Sequence, residues 1–259
     1  MQTLSPAALA VINNYLHLPF PGKNVSCPYM NNRRAGMRGG LRVLIGKGTP
    51  DDIAQEAKII GMREHTDIQK FSDEELKRFL MDHRIGIDCS GFAYYVLDAE
   101  LAAKINRPLA SVLKFPEIKN PLRKLLTRFR TPEHTSVAVL AHEKNSKEIT
   151  LDDVRPGDMI VLEDIGMGNQ RDHVLLVHDV IRDEKNTLSE LGYTHSFQWS
   201  TDGKYAHGVR QGRVRIHDIS QTLIHQTWEE QEKTGETNET FLHAQKARTV
   251  AIRRLRALE

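Results

Sequence analysis

The order of hydrophobic patterns along this 259-residue chain predicts an α+β fold, with helices first and a curved antiparallel β-sheet after residue 158. Two observations carry that expectation. Up to Lys104, apolar residues recur at helical spacing behind recognisable helix starts. From Met159 onward, short strand-like stretches follow one another with turn residues between them. The length allows one sizeable core, either one elaborated domain or two small ones, and one elaborated domain is the simpler expectation.

Ser5 and Pro6 open a short helix running to about Leu18, and Pro19, Pro21 and Gly22 stop it. Residues 23 to 50 are rich in Gly, Asn and Arg, with Leu41 to Ile45 a short strand or helical turn. Thr49 and Pro50 start a helix to about His65, with Ile53, Ala57, Ile60 and Met62 as its apolar stripe. Ser72 and Glu75 form a capping box for a helix reaching about His83. Ile85 to Asp88 is a short turn or extended lead, and Ser90 to Lys104 is strongly helical, with Phe92, Val96, Leu97 and Leu101 on one side. That helix begins at Cys89.

Residues 105 to 149 carry prolines at 108, 116, 121 and 132 and a basic helical patch from Asn120 to Arg130, and are taken as an insertion with no identifiable chemistry. Four strands are expected beyond it: Met159 to Leu162, Val174 to Ile181, Tyr193 to Ser200 and Val209 to Ile216. The tail from 218 offers a polar linker, then a helix or terminal strand between Phe241 and Leu258. The expected layout is a helical N-terminal extension (1–84), a core (85–220) containing the insertion (105–149), and a C-terminal extension (221–259), all in one compact domain. No internal repeat or low-complexity tract interrupts it.

Composition narrows the function classes. Hydrophobic residues make up 39% and charged residues 27%, values of an ordinary globular protein rather than an integral membrane one. With 36 Lys and Arg against 34 Asp and Glu, the net charge of +2 gives no whole-chain argument for nucleic acid or an anionic membrane. No stretch approaches the roughly 20 apolar residues that span a bilayer. The first twenty residues do not resemble a secretory signal, so the expected compartment is the cytoplasm, with non-classical export as the alternative. The two cysteines, Cys27 and Cys89, are too few for a disulfide framework and lack zinc-site spacing, and in that compartment Cys89 would stay a free thiol.

The run Asp88-Cys89-Ser90-Gly91-Phe92 carries the chemistry. A thiol attacks a carbonyl as thiolate, and a neighbouring imidazole or the positive end of a helix lowers its pKa. Cys89 stands where an extended lead meets a long helix, near unpaired N–H groups that can also hold an oxyanion. The thiol pKa is therefore expected well below the ordinary value near 8.5. Taken alone, a cysteine at a helix start is more often a small buried apolar residue.

This motif, followed by an aromatic and aliphatic helix, resembles the nucleophile motif of the NlpC-like cell-wall cysteine peptidases, a papain-like-fold family. Val154-Arg155-Pro156-Gly157-Asp158 resembles that family's lead into its sheet, and Asp172-His173-Val174-Leu175 its histidine strand. The resemblance implies a papain-like NlpC-type core of helices packed on the sheet, with helical insertions. It implies Cys89 as nucleophile, His173 as general base, and a polar residue one strand later that orients the imidazole. His195 is the candidate for that place, with Gln198 second, on the opposite face if pairing is regular. A structural histidine at a strand edge is the plain alternative for His173. Cys27-Pro28-Tyr29 is similar to the family's Pro-Tyr pair, without the Trp-Gly-Gly that follows it there. Tyr29, Asp88 and Ser90 are thus candidates for contacting substrate or the oxyanion, while a buried structural tyrosine is as good a reading of Tyr29. The 84 residues between Cys89 and His173 exceed the family's usual spacing, which the insertion explains.

Other clusters point nowhere. His134, His142, His207, His217, His225 and His243 make no metal motif. Gly36, Gly39, Gly40, Gly46 and Gly48 make no phosphate loop, and Gly166, Gly168, Gly203, Gly208 and Gly212 fall in turns. No cofactor or metal is expected. Arg33, Arg34, Arg38 and Arg42, and Arg123, Lys124, Arg128 and Arg130, are basic runs, most simply solvated surface. The expected function is hydrolysis of an amide by a cysteine nucleophile, on a peptide or peptidoglycan fragment as endopeptidase or amidase, without nucleic acid or membrane insertion. The alternatives are a non-catalytic papain-like scaffold that binds a partner through the basic segments, and a thiol acyltransferase.

Overall fold

The computed structural model describes residues 1–31, 42–120, 130–165 and 172–259, with the single positions Leu122, Thr127 and Phe129. Leu41, Arg33, Arg34, Arg38, Arg123, Lys124 and Arg128 lie outside the described residues, as do Gly36, Gly39, Gly40, Gly166 and Gly168. Among the described residues the helices are α1 (Pro6–Leu16), α2 (Pro50–Arg63), α3 (Asp73–Asp82), α4 (Cys89–Ile105), α5 (Leu109–Val112), α6 (Thr131–His134), α7 (Val137–Ala141) and α8 (Glu239–Lys246). The strands are β1 (Gln2–Thr3), β2 (Ser146–Ile149), β3 (Met159–Glu163), β4 (His173–Arg182), β5 (Leu188–Phe197), β6 (Gly208–Arg215), β7 (Thr227–Glu230), β8 (Lys233–Thr234) and β9 (Thr249–Leu255). They pair antiparallel in the order β2-β9-β3-β4-β5-β6-β7-β8, with β1 on β4. The architecture is α+β, as expected.

Local chemistry accounts for the helix ends. Thr49 and Asp52 close a capping box on α2, and Ser72 and Glu75 do so on α3, each satisfying two backbone donors that a helix start leaves open. Asp88 caps α4, its carboxylate accepting from the Gly91 N–H at 2.6 Å. At the other end, Asn106 takes the left-handed conformation that stops the helix. Helix α4 packs against α1 and crosses β4 and β5, with the Tyr15 and Phe92 rings meeting edge to face at 5.5 Å.

Strand alternation buries both faces of the sheet. Met159, Val161, Val174 and Leu176 face the core shared with α1, α2 and α4. Ile160, Leu162, Leu175 and Val177 face a second core completed by Tyr193, Val214, Trp228, Ala244 and Ile252. Much of the cover on that second face comes from the C-terminal stretch.

The tail departs from the sequence expectation. The polar stretch around residues 232–238 is no linker: it forms β8, a 3₁₀ turn and the Asn238 cap of α8. Strand β7 was not foreseen, whereas 249–255 is the terminal strand that the sequence offered as one alternative, inserted between β2 and β3. Within it Arg254 has a buried partner. Its guanidinium forks onto both oxygens of Asp158, at 2.8 Å each, tying β9 to the turn before β3. The insertion, likewise, contributes β2 to the sheet. Among the described residues no helix is long and apolar enough to cross a membrane.

Arg254→Ala strands the Asp158 carboxylate in the interior and should lower unfolding stability by about 3–5 kcal/mol in urea titrations. Arg248→Ala, which removes exposed pairs to Glu163 and Asp164, should cost under about 1 kcal/mol in the same assay.

Candidate active site

The extended lead into α4 is held on both sides by chain that is distant in sequence. Ile87 bridges Tyr29 on one side and Lys47 on the other. The Ile87 N–H donates to Pro28 O at 2.9 Å, the Met30 N–H to Ile87 O at 3.1 Å, and the Asp88 N–H to Gly46 O at 3.0 Å. Tyr29, 60 residues before Cys89, is thereby set beside Ile87, two residues ahead of the cysteine. Gly91 allows this: a Cβ there would stand 2.7 Å from Gly46 O and 3.0 Å from Lys47 Cδ. The approach delivers the buried Lys47 ammonium to Asp88 Oδ1 at 2.8 Å, Ser90 Oγ at 2.6 Å and Thr135 O at 2.9 Å. Ser90 Oγ also donates to Asp88 Oδ1 at 3.0 Å, so both residues are committed to the helix start as well as lining the groove beside it.

Across from α4, His173 is the first residue of β4 and His195 lies on β5. Both are buried, and His173 Nε2 stands 2.7 Å from His195 Nδ1. The far nitrogen of His195 is 3.0 Å from Glu230 Oε2 on β7. Phe197, two residues along the same face as His195, lays its ring 4.4 Å from His173 and 5.9 Å from His195, shielding the pair. The edge of that ring meets His243 of α8 at 5.1 Å.

Cys89 and His173 open on one groove of about 1660 Å³. Its walls are Tyr29 and Asn31, the start of α4, residues 133–138 from the insertion, and Lys233, Glu236, Thr237, Glu239, Leu242, His243 and Lys246 from the C-terminal stretch. Among the described residues no hydrogen bond joins the Cys89 thiol to the His173 ring. Burial, then the Asp88 carboxylate, push that thiol up to about 12, against the pull of Lys47 and of the Val174 and Ser90 N–H groups. The expected low-pKa thiol is thus corrected: the helix-end effect is outweighed by desolvation and by an adjacent carboxylate. Burial, followed by His195, His243 and Arg210, holds His173 well below the usual histidine range. Both shifts favour the uncharged forms, thiol and imidazole.

Cys89 at the start of α4 and His173 on β4 thus line one groove, and His173 contacts His195 one strand on. The sequence model of the NlpC/P60 family matches residues 75–257. The chain belongs to the NlpC/P60 family. That family is one of cysteine peptidases and amidases that act on peptidoglycan, built on a papain-like fold. No curated protein and no solved structure matches the chain. The NlpC/P60 match reaches through β9, taking in the stretch from 221 that the sequence layout set apart as an extension.

Of the candidate site residues from the sequence, Cys89, His173, Tyr29, Asp88, Ser90 and Gln198 all line the groove. His195 sits behind His173 and makes the contact to its ring, whereas Gln198 lies past the end of β5, its amide donating to Gly203 O at 3.3 Å. Tyr29 is half-buried, with its N–H donating to His207 Nδ1 at 3.2 Å and its hydroxyl accepting from Asn31 at 3.1 Å. Sequence reasoning missed Lys47, Phe197, His207 and Glu230. Only Phe197 carried a signal, its place two residues after His195 on an alternating strand. Among the described residues no group of three His, Cys, Asp or Glu side chains could hold a metal ion.

Alkylation of Cys89 by iodoacetamide should be slow at pH 7 and rise close to tenfold per pH unit up to pH 9.5, as for a thiol still protonated throughout. A plateau below pH 8 would reveal a preformed thiolate. Cys27, fully buried with its thiol also pushed up to about 12, should label later than Cys89, which opens on the groove.

Proposed function

We propose that this protein hydrolyses an amide bond in a peptidoglycan-type peptide, as an endopeptidase or amidase, with Cys89 as nucleophile and His173 as general base. The observation that carries this reading is the 2.7 Å contact between His173 Nε2 and His195 Nδ1 at the edge of the Cys89 groove. It occupies one ring nitrogen of His173 and leaves Nδ1 for the thiol. His195 orients the ring and supports the imidazolium that forms.

In the first step the thiol proton passes to His173 Nδ1 as the sulfur attacks the carbonyl carbon. The Cys89 N–H, at the open start of α4, holds the oxyanion, and Tyr29 flanks the reacting carbonyl. The C–N bond breaks as His173 returns the proton to the leaving amine. Water then gives a proton to His173 and attacks the thioester, and the carboxylic acid leaves with the thiol restored. Because thiol and imidazole both rest neutral, proton transfer accompanies attack. Closure on substrate is what brings the sulfur and Nδ1 within hydrogen-bond reach, as catalytic contacts often tighten only in the complex. The groove walls from the insertion and the C-terminal stretch set the shape of the peptide accepted.

One observation favours a second reading, a papain-like scaffold without catalysis: among the described residues the Cys89 thiol shares no hydrogen bond with His173, and burial pushes that thiol up. The two readings part at Cys89→Ala. On purified stem peptides followed by mass spectrometry, Cys89→Ala and His173→Ala should each cut turnover by about 10³-fold or more, and His195→Ala by about 10²-fold. Retained turnover in Cys89→Ala ends the catalytic reading. A base must be neutral to act, and His173 is held neutral below the ordinary histidine pKa of about 6.5. The acid limb of kcat/KM should therefore lie below pH 6.5, and a limb at or above pH 7 contradicts the assignment.

A further inference from the structure

Behind His195 the hydrogen-bonded chain ends on a buried carboxylate. Glu230 lies on β7, two strands from His195, with its side chain inaccessible to solvent. Its Oε2 accepts from the Tyr193 hydroxyl at 2.8 Å and stands 3.0 Å from His195 Nε2. Its Oε1 accepts no hydrogen bond and faces Arg210 Nη1 at 3.7 Å. Arg210 gives its closest contact to Asp202 instead, at 2.5 Å. The two good hydrogen bonds of Glu230 are therefore directed at the ring system rather than spent on the guanidinium. We propose that Glu230 is a positioning residue for His173, acting through His195 by fixing which nitrogen of each ring carries the proton; this rests on the reading of His173 as the base.

The argument is one of donors and acceptors. An ionised carboxylate only accepts, so His195 Nε2 must carry a hydrogen, and in the neutral ring that leaves His195 Nδ1 its lone pair. The 2.7 Å contact then requires the hydrogen on His173 Nε2, and His173 Nδ1 is left with its lone pair toward the groove. That is the form a general base needs. With a neutral amide in place of Glu230, His195 can reverse its tautomer, present Nδ1–H to His173, and force the His173 hydrogen onto Nδ1. The base is then the wrong tautomer, the failure expected when the carboxylate behind a catalytic imidazole is neutralised.

The surroundings keep the carboxylate charged. Burial alone would raise Glu230, but the neighbouring His195 and Arg210 outweigh it and hold Glu230 below its ordinary range. The titratable and charged groups around the chain are His173 on β4, Tyr193 on β5, Arg210 on β6 with Asp202 beyond it, and His243 on α8 against Phe197. None of the others supplies an acceptor for His195 Nε2.

Two substitutions test this, read by pH–rate profiles and by ¹⁵N-histidine NMR. Glu230→Gln should lower kcat by about 10²-fold or more with KM within about twofold, move the acid limb to lower pH, and add an Nδ1–H population to the single Nε2–H tautomers of His173 and His195. Tyr193→Phe removes a donor, leaves the carboxylate more basic, and should move the acid limb to higher pH. A merely structural carboxylate would not shift the limbs in opposite directions. Folded Glu230→Gln with wild-type kcat and unchanged tautomers overturns the proposal. If Glu230→Gln fails to fold, Tyr193→Phe decides, and an unmoved limb with unmoved His195 resonances overturns it. If the wild type shows no Cys89-dependent turnover, the catalytic reading falls by itself. The tautomers then judge Glu230 alone: mixed rings in Glu230→Gln support it and unchanged rings overturn it.

Discussion

Two imidazoles buried in contact can satisfy one another in only one way at a time: one ring donates and the other accepts. The His173–His195 contact imposes that condition, and much of the surrounding structure answers to it. Leaving either ring unsatisfied in the interior would cost about 1–3 kcal/mol. The Phe197 ring that covers the pair keeps water from serving as the missing partner. The sheet has to bring β4, β5 and β7 together so that His173, His195 and Glu230 meet, with Glu230 level with Tyr193 and one diagonal step from His195. Antiparallel pairing through β6 accomplishes this, with Arg210 directly opposite His195.

The other half of the site depends on backbone rather than side-chain complementarity. Cys89 is placed by an extended segment that bridges chain from residues 28–30 and from 46–47 at once. Neither of those segments is part of a helix or strand of any length, so their backbone groups need partners, and the lead into α4 provides them. Lys47 follows from this arrangement. Once its backbone runs beside Ile87, its ammonium is buried and must find acceptors, and Asp88, Ser90 and the Thr135 carbonyl are those acceptors. The insertion is thus pinned to the helix start, and the groove gains a wall from residues 133–138.

This division explains what was legible in the sequence. Helices α2, α3 and α4 were readable because their caps are local: Thr49 with Asp52, Ser72 with Glu75 and Asp88 with Gly91 declare themselves within four residues. Strands β3 to β6 were readable from alternation, though β5 begins earlier than expected, at Leu188, and ends at Phe197. Cys89, His173 and His195 stood out because a motif and two strand positions mark them. Glu230 and Lys47 had no such mark. Their importance is created by register across three strands in one case and by a backbone bridge over 40 residues in the other, and neither leaves a local pattern. Strand β9 was legible only as one of two alternatives for the tail, because the partner that buries Arg254, Asp158, lies 96 residues away in sequence.

The raised thiol and the depressed imidazole have one physical origin. A thiolate–imidazolium pair is favoured where solvent or dipoles stabilise two charges, and this groove edge offers little of either to Cys89 or His173, which are 8% and 2% exposed. Asp88 adds to the effect: the carboxylate that caps α4 sits beside the sulfur and offsets the helix-end field that would otherwise favour its ionisation. Lys47 offsets part of that effect, its ammonium shared among Asp88, Ser90 and the Thr135 carbonyl. A thiol held protonated in this way is protected from adventitious oxidation and alkylation, since both need the thiolate. In the proposed mechanism its proton is taken at the moment of attack, by a base whose own proton is already committed elsewhere. The value of fixing the His173 tautomer is therefore greatest in a site where the ion pair is not preformed, and it is in such a site that a carboxylate two strands away can matter to a bond it never touches.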